Sequence, residues 1–450
     1  MKAFHAYDIR GIYNTHFNRE DVYKIGFFLP KLLKTNKILV GRDARVSSPQ
    51  ISEYLIKGIT DSGSDVYYVG LATTPLVYFL TAKYNFEGSV MITASHNGKE
   101  YNGLKVSTTG AAPVGYDTGL KELERLIQDE KIEIQPQQGK IIDFDKSSEY
   151  LKFLNKYLKD LSHLKLSIDC SNGMAGLFIR KLIGNWPVYL NEALNGHFPG
   201  HAPNPLAPEN IKDLQKSVIE NKSDLGIIFD GDGDRVMFVD ENGSFIPPDL
   251  MIGVMAPYFI KKYKGHKPLI IHDIRTSKSA IEYIKQAGGE PYIWKVGRAF
   301  AAIKLKEIDG LFGGELAGHY YFRDFYFSDS GLLACLVVLG IVKDLKSKGK
   351  TISALIKEIV KYANSGEINF NIEKKAEAIE KVKSYFTSLE KPSAVYDFDG
   401  YRVEFSDWWF NIRPSNTEPY LRLLVEAKTN QLLEEKIMII KNLLKKFILK

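Results

Sequence analysis

Cysteine is scarce: Cys170 and Cys335 are the two in 450 residues. Lying so far apart, they build no disulfide framework, and their scarcity suits a reducing, cytoplasmic setting. Long apolar runs are lacking as well. The longest, 331–342, is too short to cross a bilayer and predicts a buried helix. The N-terminal residues enter folded-looking sequence at once, without the apolar core of a signal peptide. There is no dense block of Lys and Arg, and the net charge of +6 is modest for this length. The lysine-rich tail 441–450 reads as a solvated helix face rather than a nucleic-acid patch. These absences point away from membrane and nucleic acid and toward a small-molecule partner.

What is present is the composition of a folded protein, 44% hydrophobic and 25% charged. A chain of 450 residues exceeds one ordinary core and should divide into three or four domains. Strand-like runs near 37–41, 66–69 and 89–94, separated by helical patterns around 50–60 and 75–83, predict an α/β unit with parallel strands. A second unit runs from 166–170 through the apolar run ending at Phe229, and a third contains 269–272, 292–294 and 311–312. Beyond residue 366 the pattern changes to a helix over 377–389, short strands with Gly400 and Asp407 at the turns, and a long helix over 431–449. The predicted architecture is three consecutive α/β domains with mixed, largely parallel sheets flanked by helices, and a smaller C-terminal α+β domain. The expected divisions are 1–142, 143–247, 248–365 and 366–450.

Polar motifs follow strands in each unit, where open α/β sheets place their ligands. Thr93-Ala94-Ser95-His96-Asn97 leaves a strand-like stretch, with Lys105 ten residues past the serine. A hydroxyl at a strand end beside a cation has a nucleophile's posture, although Ser and Asn also gather at turns for conformational reasons alone. Asp230-Gly231-Asp232-Gly233-Asp234-Arg235 follows the apolar run 225–229. Its alternating carboxylates, with glycines to let the backbone turn tightly, can converge on a hard cation such as Mg²⁺; a solvated acidic turn is the alternative. An EF-hand loop would also match Asp230, Asp232, Asp234 and Glu241, but its sixth position requires glycine and here is Arg235. Three carboxylates and one divalent cation leave a charge of about −1, so an incoming phosphate needs cations nearby. Arg235 and Lys105 supply them, which makes phosphoryl transfer a coherent use of both motifs.

Arg413-Pro414-Ser415-Asn416-Thr417-Glu418-Pro419 combines a guanidinium fork, hydroxyls and an amide on a turn, suited to a phosphate dianion or, more plainly, to a polar turn between strands at 408–412 and 420–425. In Gly313-Gly314-Glu315-Leu316-Ala317-Gly318-His319, the glutamate can accept hydrogen bonds from two adjacent sugar hydroxyls, and the histidine can exchange protons near neutral pH. A glycine-rich turn with an incidental histidine is the alternative.

T-A-S-H-N, D-G-D-G-D-R, G-E-x-x-G-H and R-P-S-N-T-E-P, preceded by Ala6-Tyr7-Asp8-Ile9-Arg10-Gly11, make the chain resemble the α-D-phosphohexomutases along essentially its whole length. Within that family it is most similar to the bacterial phosphomannomutase/phosphoglucomutase members. The resemblance implies a central cleft and an isomerase that moves a phosphoryl group reversibly between the 1- and 6-positions of a hexose phosphate. The implied route runs through a phosphoserine and a hexose 1,6-bisphosphate, which also serves as activator. Ser95 would carry the phosphoryl group, and Asp230, Asp232 and Asp234 would hold Mg²⁺ together with an oxygen of phosphorylated Ser95. Arg10, Lys105, Arg235 and His319 would line the reacting centre, with Lys105 and His319 as the acid–base candidates. Glu315 would grip two ring hydroxyls, and Arg413, Ser415, Asn416 and Thr417 would hold the phosphate that is not reacting. Tyr7, Arg275, Lys295, Arg298, Ala317 and Arg422 are further substrate-contact candidates.

The chain departs from the family pattern at Ala317, where serine is frequent, at Gly98-Lys99, where proline frequently follows the asparagine, and at Arg298, where several relatives have histidine. The string Gly318-His319-Tyr320-Tyr321-Phe322-Arg323-Asp324, with Asn416, points to mannose phosphate first and glucose phosphate second, ahead of glucosamine phosphate. Arg413 lies on the separate last domain, which is expected to swing inward over substrate as a monomer's or homodimer's cleft closes. A metal-dependent sugar phosphatase and a catalytically silent sugar-phosphate binder are the rival readings.

Overall fold

Apolar runs of four to eight residues become buried strands, and here they assemble into four sheets. The computed structural model describes residues 2–263, 265, 267–415 and 420–448. In the first sheet Lys37–Arg42 lies parallel to both Asp65–Leu71 and Gly88–Ile92, and Ile141–Asp143 extends the parallel side. Leu39 and Val40 are fully buried because helices cover both faces, as a parallel sheet requires. The second sheet centres on Leu225–Phe229, parallel to Leu166–Asp169, and the third on Leu269–Asp273, parallel to Glu290–Trp294 and Phe312–Gly314.

Each of these sheets gives way from parallel to antiparallel pairing at one strand, and that change locates the chemistry. Gly88–Ile92 is followed by the antiparallel strand Tyr101–Thr108, Leu225–Phe229 by Val236–Val239, and Phe312–Gly314 by Tyr320–Phe322. The serine, acidic and glutamate motifs occupy the turns of these hairpins rather than strand-to-helix turns. An antiparallel return needs only a short connection, so it points residues of both strands at one spot.

The fourth sheet is antiparallel throughout, with Tyr420–Ala427 between Trp408–Pro414 and Ala363–Asn364. Helices Lys375–Leu389 and Asn430–Leu444 share its core. The helix expected to reach 449 ends at Leu444 and tightens into the short turn Lys445–Phe447, a common way for a last turn to close.

The first three units share a continuous core into which the helices Thr74–Lys83 and Gly331–Lys346 are sunk, the latter being the buried helix expected at 331–342. The fourth unit keeps a core of its own. It holds the third through polar contacts on the segment 274–278. Arg402 stacks on Trp409 at 3.6 Å and donates to the carbonyls of Ile274 (2.9 Å) and Thr276 (2.7 Å). Glu426 accepts from Ser277 Oγ at 2.5 Å and from Lys278 N at 2.8 Å. No helix among the described residues is long and apolar enough to cross a membrane.

Candidate active site

Ser95 stands just past Gly88–Ile92 in the left-handed region, with φ 52°. That conformation costs a serine about 1–3 kcal/mol and persists only where its surroundings impose it. Here its N–H donates to Thr93 Oγ1 at 2.9 Å, and its carbonyl rests on Gly231, where an added Cβ would come within 2.5 Å. The result turns Oγ onto the second domain, where it donates to Asp230 Oδ2 at 2.9 Å. Lys105, opposite Met91 on the return strand, reaches the same place and donates to Asp232 Oδ2 (2.6 Å) and Asp234 Oδ2 (2.5 Å). Arg10, opposite Gly103 on the adjoining strand, pairs with Asp8 and donates to Asn97 Oδ1 at 2.8 Å.

Asp230, Asp232 and Asp234 are fully buried, with one oxygen of each within 4.8 Å of the others. The loop is pinned from outside its own hairpin: Thr74 of the first domain donates to Asp232 through both N–H and Oγ1. Burial, then the neighbouring Asp234 and Asp232, push the Asp230 carboxyl well above its ordinary pKa. Burial also opposes charge on Asp234, yet the neighbouring cations, Lys105 foremost, outweigh it and hold its pKa low. For Lys105 burial works against the ammonium, and Asp232 and Asp234 outweigh that, keeping its pKa well above the ordinary value. Asp232 Oδ1 and Asp234 Oδ1 are buried without a hydrogen-bond partner among the described residues. Unpaired buried carboxylate oxygens are costly unless a cation meets them, and an all-oxygen set of this kind fits a hard divalent ion.

Glu315 turns the third hairpin, buried, with Oε1 accepting from Tyr321 OH and Oε2 from Gly297 N at 2.9 Å. Beside it an isolated β-bridge joins His319 to Arg235, tying the sugar loop to the acidic loop. Arg235 Nε lies 2.8 Å from His319 Nε2, and His319 Nδ1 lies 2.6 Å from Asp329 Oδ2. A guanidinium only donates, so Nε2 is the acceptor and the ring proton sits on Nδ1, toward Asp329. Arg298 is anchored on one side: Nε donates to Asp329 Oδ1 (3.0 Å), Nη2 to Ala111 O (3.0 Å), and its plane covers Tyr78 at 3.6 Å. Lys295 sits over the Phe300 ring at 5.4 Å, and Tyr7 donates weakly to Val296 O at 3.5 Å and meets Phe300 edge-on. Ala317 is half-buried in the glutamate turn.

On the fourth domain Arg413 and Arg422 face each other in register across adjacent strands. Like charges directly opposed repel, which favours an anion between or beside them. Glu367 meets Arg422 at 3.1 Å and Arg275 at 3.9 Å, so the third domain's arginine joins the group; Arg275 is also paired with Asp273 at 2.7 Å. Burial and then Arg275 push the Arg413 pKa down, and its Nε is buried without a partner among the described residues. Ser415 N donates to Tyr420 O at 2.9 Å. Asn416 and Thr417 lie outside the described residues.

Thr74, Tyr321 and Asp329 escaped sequence reasoning. Thr74 opens a helix directly after its cap Thr73, and Asp329 ends the strand Ser328–Asp329 just before the cap Ser330, so both look like residues of a local helix start. Their site contacts depend on what the fold sets opposite them.

Comparisons with known proteins agree along the chain. Phosphoglucomutase/phosphomannomutase family models match as alpha/beta/alpha domain I over residues 1–133, domain II over 148–243, domain III over 247–362 and the C-terminal domain over 367–441. The phosphomannomutase of Escherichia coli is 37% identical over 95% of each chain. That of Methanocaldococcus jannaschii is 36% identical over 99% of this chain and 98% of its own. A solved phosphoglucomutase/phosphomannomutase family protein from Burkholderia thailandensis superposes with a TM-score of 0.88 at 28% identity, over 99% of this chain and 97% of that one. With these hairpin loops in contact at one site, the chain belongs to the phosphoglucomutase/phosphomannomutase family, enzymes that move a phosphoryl group between positions of a hexose phosphate.

Proposed function

We propose that this enzyme interconverts mannose 1-phosphate and mannose 6-phosphate, with glucose phosphates as second substrates, through phosphorylated Ser95 and a hexose 1,6-bisphosphate. The observation that carries this reading is the 2.9 Å contact of Ser95 Oγ with Asp230, completed across the domain boundary by Lys105 on Asp232 and Asp234. Asp230, Asp232 and Asp234 would hold Mg²⁺, which when bound neutralises charge on the phosphoryl oxygens. Lys105, held protonated by its two carboxylates, and Arg10 add positive charge beside the serine.

The free hydroxyl of the sugar attacks phosphorus, the P–O bond to Ser95 breaks, and the serine oxygen leaves with the electron pair and takes a proton from the Lys105 ammonium, which recovers it when the serine is next phosphorylated. The sugar hydroxyl proton needs an acceptor. His319 Nε2 offers a lone pair once Arg235 turns from it toward phosphate, and Asp329 holds the opposite ring nitrogen. The bisphosphate then reverses end for end, and its other phosphate returns to Ser95. Glu315 accepts from two adjacent ring hydroxyls in either pose, and Arg413, Arg422 and Arg275 receive whichever phosphate is remote.

Coupled assays with mannose 1-phosphate, glucose 1-phosphate and glucosamine 1-phosphate, with and without trace hexose 1,6-bisphosphate, test the proposal. Turnover that needs the primer and ranks in that order is expected, and the names of the similar phosphomannomutases support mannose in first place. Release of inorganic phosphate in place of an isomer overturns the mutase reading. Glucosamine phosphate in first place overturns the sugar assignment.

A further inference from the structure

We infer that Arg45 is the positioning residue of the serine loop, a buried template that holds Ser95 in its strained conformation and that Phe198 of the second domain locks in place. The side chain is fully buried. Its Nη2 donates to Ser95 O (2.9 Å) and Asn97 O (2.7 Å), its Nη1 to Gly98 O (2.5 Å) and Tyr101 O (3.0 Å), and its Nε to Asp43 Oδ2 (3.1 Å). A guanidinium carries five N–H donors, and all five are used within the protein, so none remains for a phosphate. An arginine beside a phosphoryl carrier invites reading as a substrate ligand; this one instead grips the backbone of the loop at the carbonyls of Ser95, Asn97, Gly98 and Tyr101.

Its own anchor is firm. Asp43 accepts the Arg45 backbone N–H at 3.0 Å and the Ser48 hydroxyl, and its backbone N–H donates to Ile92 O (2.9 Å), at the end of the strand that leads to the serine. The loop itself is short of stiffness, since Gly98-Lys99 stand where proline would restrict the chain. A positive φ at Ser95 needs surroundings that over-determine it, and the Arg45 hydrogen bonds supply that from behind. Phe198 covers the guanidinium with its ring centre 5.0 Å away, and Gly196 passes so close that a Cβ there would fall 2.3 Å from Ala44 O. The second domain therefore braces the serine loop at its back while Asp230 receives the hydroxyl at its front.

The inference rests on the reading of Ser95 as phosphoryl carrier. Arg45→Lys in the full chain tests it, because an ammonium has three donors on one nitrogen and cannot span the carbonyls on two arms. The expected result is a kcat lower by about 10–100-fold, with KM within about threefold. Phosphorylation of Ser95 by hexose 1,6-bisphosphate, followed by intact mass, should slow by the same factor. Amide hydrogen exchange should accelerate over 94–101 and stay unchanged elsewhere. Phe198→Leu keeps the five hydrogen bonds and removes their cover, so a smaller loss in the same direction is expected; it carries the comparison alone if the lysine variant does not fold. Wild-type kcat in the variants, a raised KM with unchanged kcat, or faster exchange along the whole chain overturns the inference. If the wild-type chain accepts no phosphate on Ser95, the carrier reading fails, and the exchange pattern still judges the role of Arg45.

Discussion

Glu315 shows how one side chain can be both fixed and available. Burial raises its pKa, and Tyr321 OH and Gly297 N–H each take one lone pair, which leaves a further lone pair on each oxygen, as the proposed grip on two sugar hydroxyls requires. In Glu315→Gln one oxygen becomes an NH₂ facing donors. We expect kcat/KM for hexose phosphate to fall by about 10–100-fold, the scale of losing charge-assisted hydrogen bonds. A coupled assay measures it, and an unchanged melting temperature separates it from unfolding. At this scale the sequence was informative where a residue's chemistry is intrinsic: a serine, alternating carboxylates and a glycine-flanked glutamate announce themselves. It was silent on Asp329, whose value comes from lying beside His319 and Arg298 after the chain has turned back twice. It was equally silent on the partners of Arg298, which meets Asp329, Ala111 and Tyr78.

Among the elements, the hairpins decide where the chemistry meets. An apolar run predicts a buried strand whether its successor runs parallel or antiparallel, so the reversal after Gly88–Ile92 and Phe312–Gly314 was not legible from periodicity, whereas strand-like runs at 225–229 and 236–239 flank the acidic turn in the sequence itself. The reversal is what sets Lys105 and Arg10 beside Ser95. Two such turns touch at Gly231, whose missing side chain admits the Ser95 carbonyl. Gly231→Ala should push the serine loop away from the carboxylates and lower kcat by about tenfold or more, since displacements on the ångström scale suffice for such losses. The far-ultraviolet circular dichroism should be unchanged, because the clash is confined to one turn. Wild-type turnover in this variant would mean that the two loops are free to separate without consequence.

For the whole molecule, the division of the core matters most. The first three domains share apolar packing, while the fourth has its own core and holds segment 274–278 by hydrogen bonds and a stacked arginine. A body attached this way can rotate at less cost than one whose core would open, and it carries Arg413 and Arg422. Saturating mannose 6-phosphate should therefore reduce the radius of gyration in solution scattering; no compaction would argue against closure by the fourth domain. The same junction contains a buried acid. Burial, then Glu426 and Asp273, push Asp249 up to about 7 from 3.8, against the pull of the Ser277 N–H at 2.9 Å. The folded chain thus binds this proton more tightly than the unfolded chain, so the contribution is full below the unfolded value and is lost as pH rises through about 7. The melting temperature should fall between pH 5 and pH 8, and Asp249→Asn should flatten that decline and melt higher at pH 8 by about 2–4 °C. Equal slopes for the two proteins would exclude Asp249 as the source.

The order of elements, the buried helix at 331–342 and the identity of the reactive groups follow from local chemistry: hydrophobic period, turn-forming glycines, and side chains whose donors and charges belong to them wherever they sit. Tertiary structure alone decided that Ser95, Asp230 and Lys105 meet, that Arg45 faces the serine loop, and that Asp329 orients His319. All but the last of those contacts join residues far apart in the chain, and the geometry of all of them is set by strand direction and domain packing, quantities that no local pattern of residues carries.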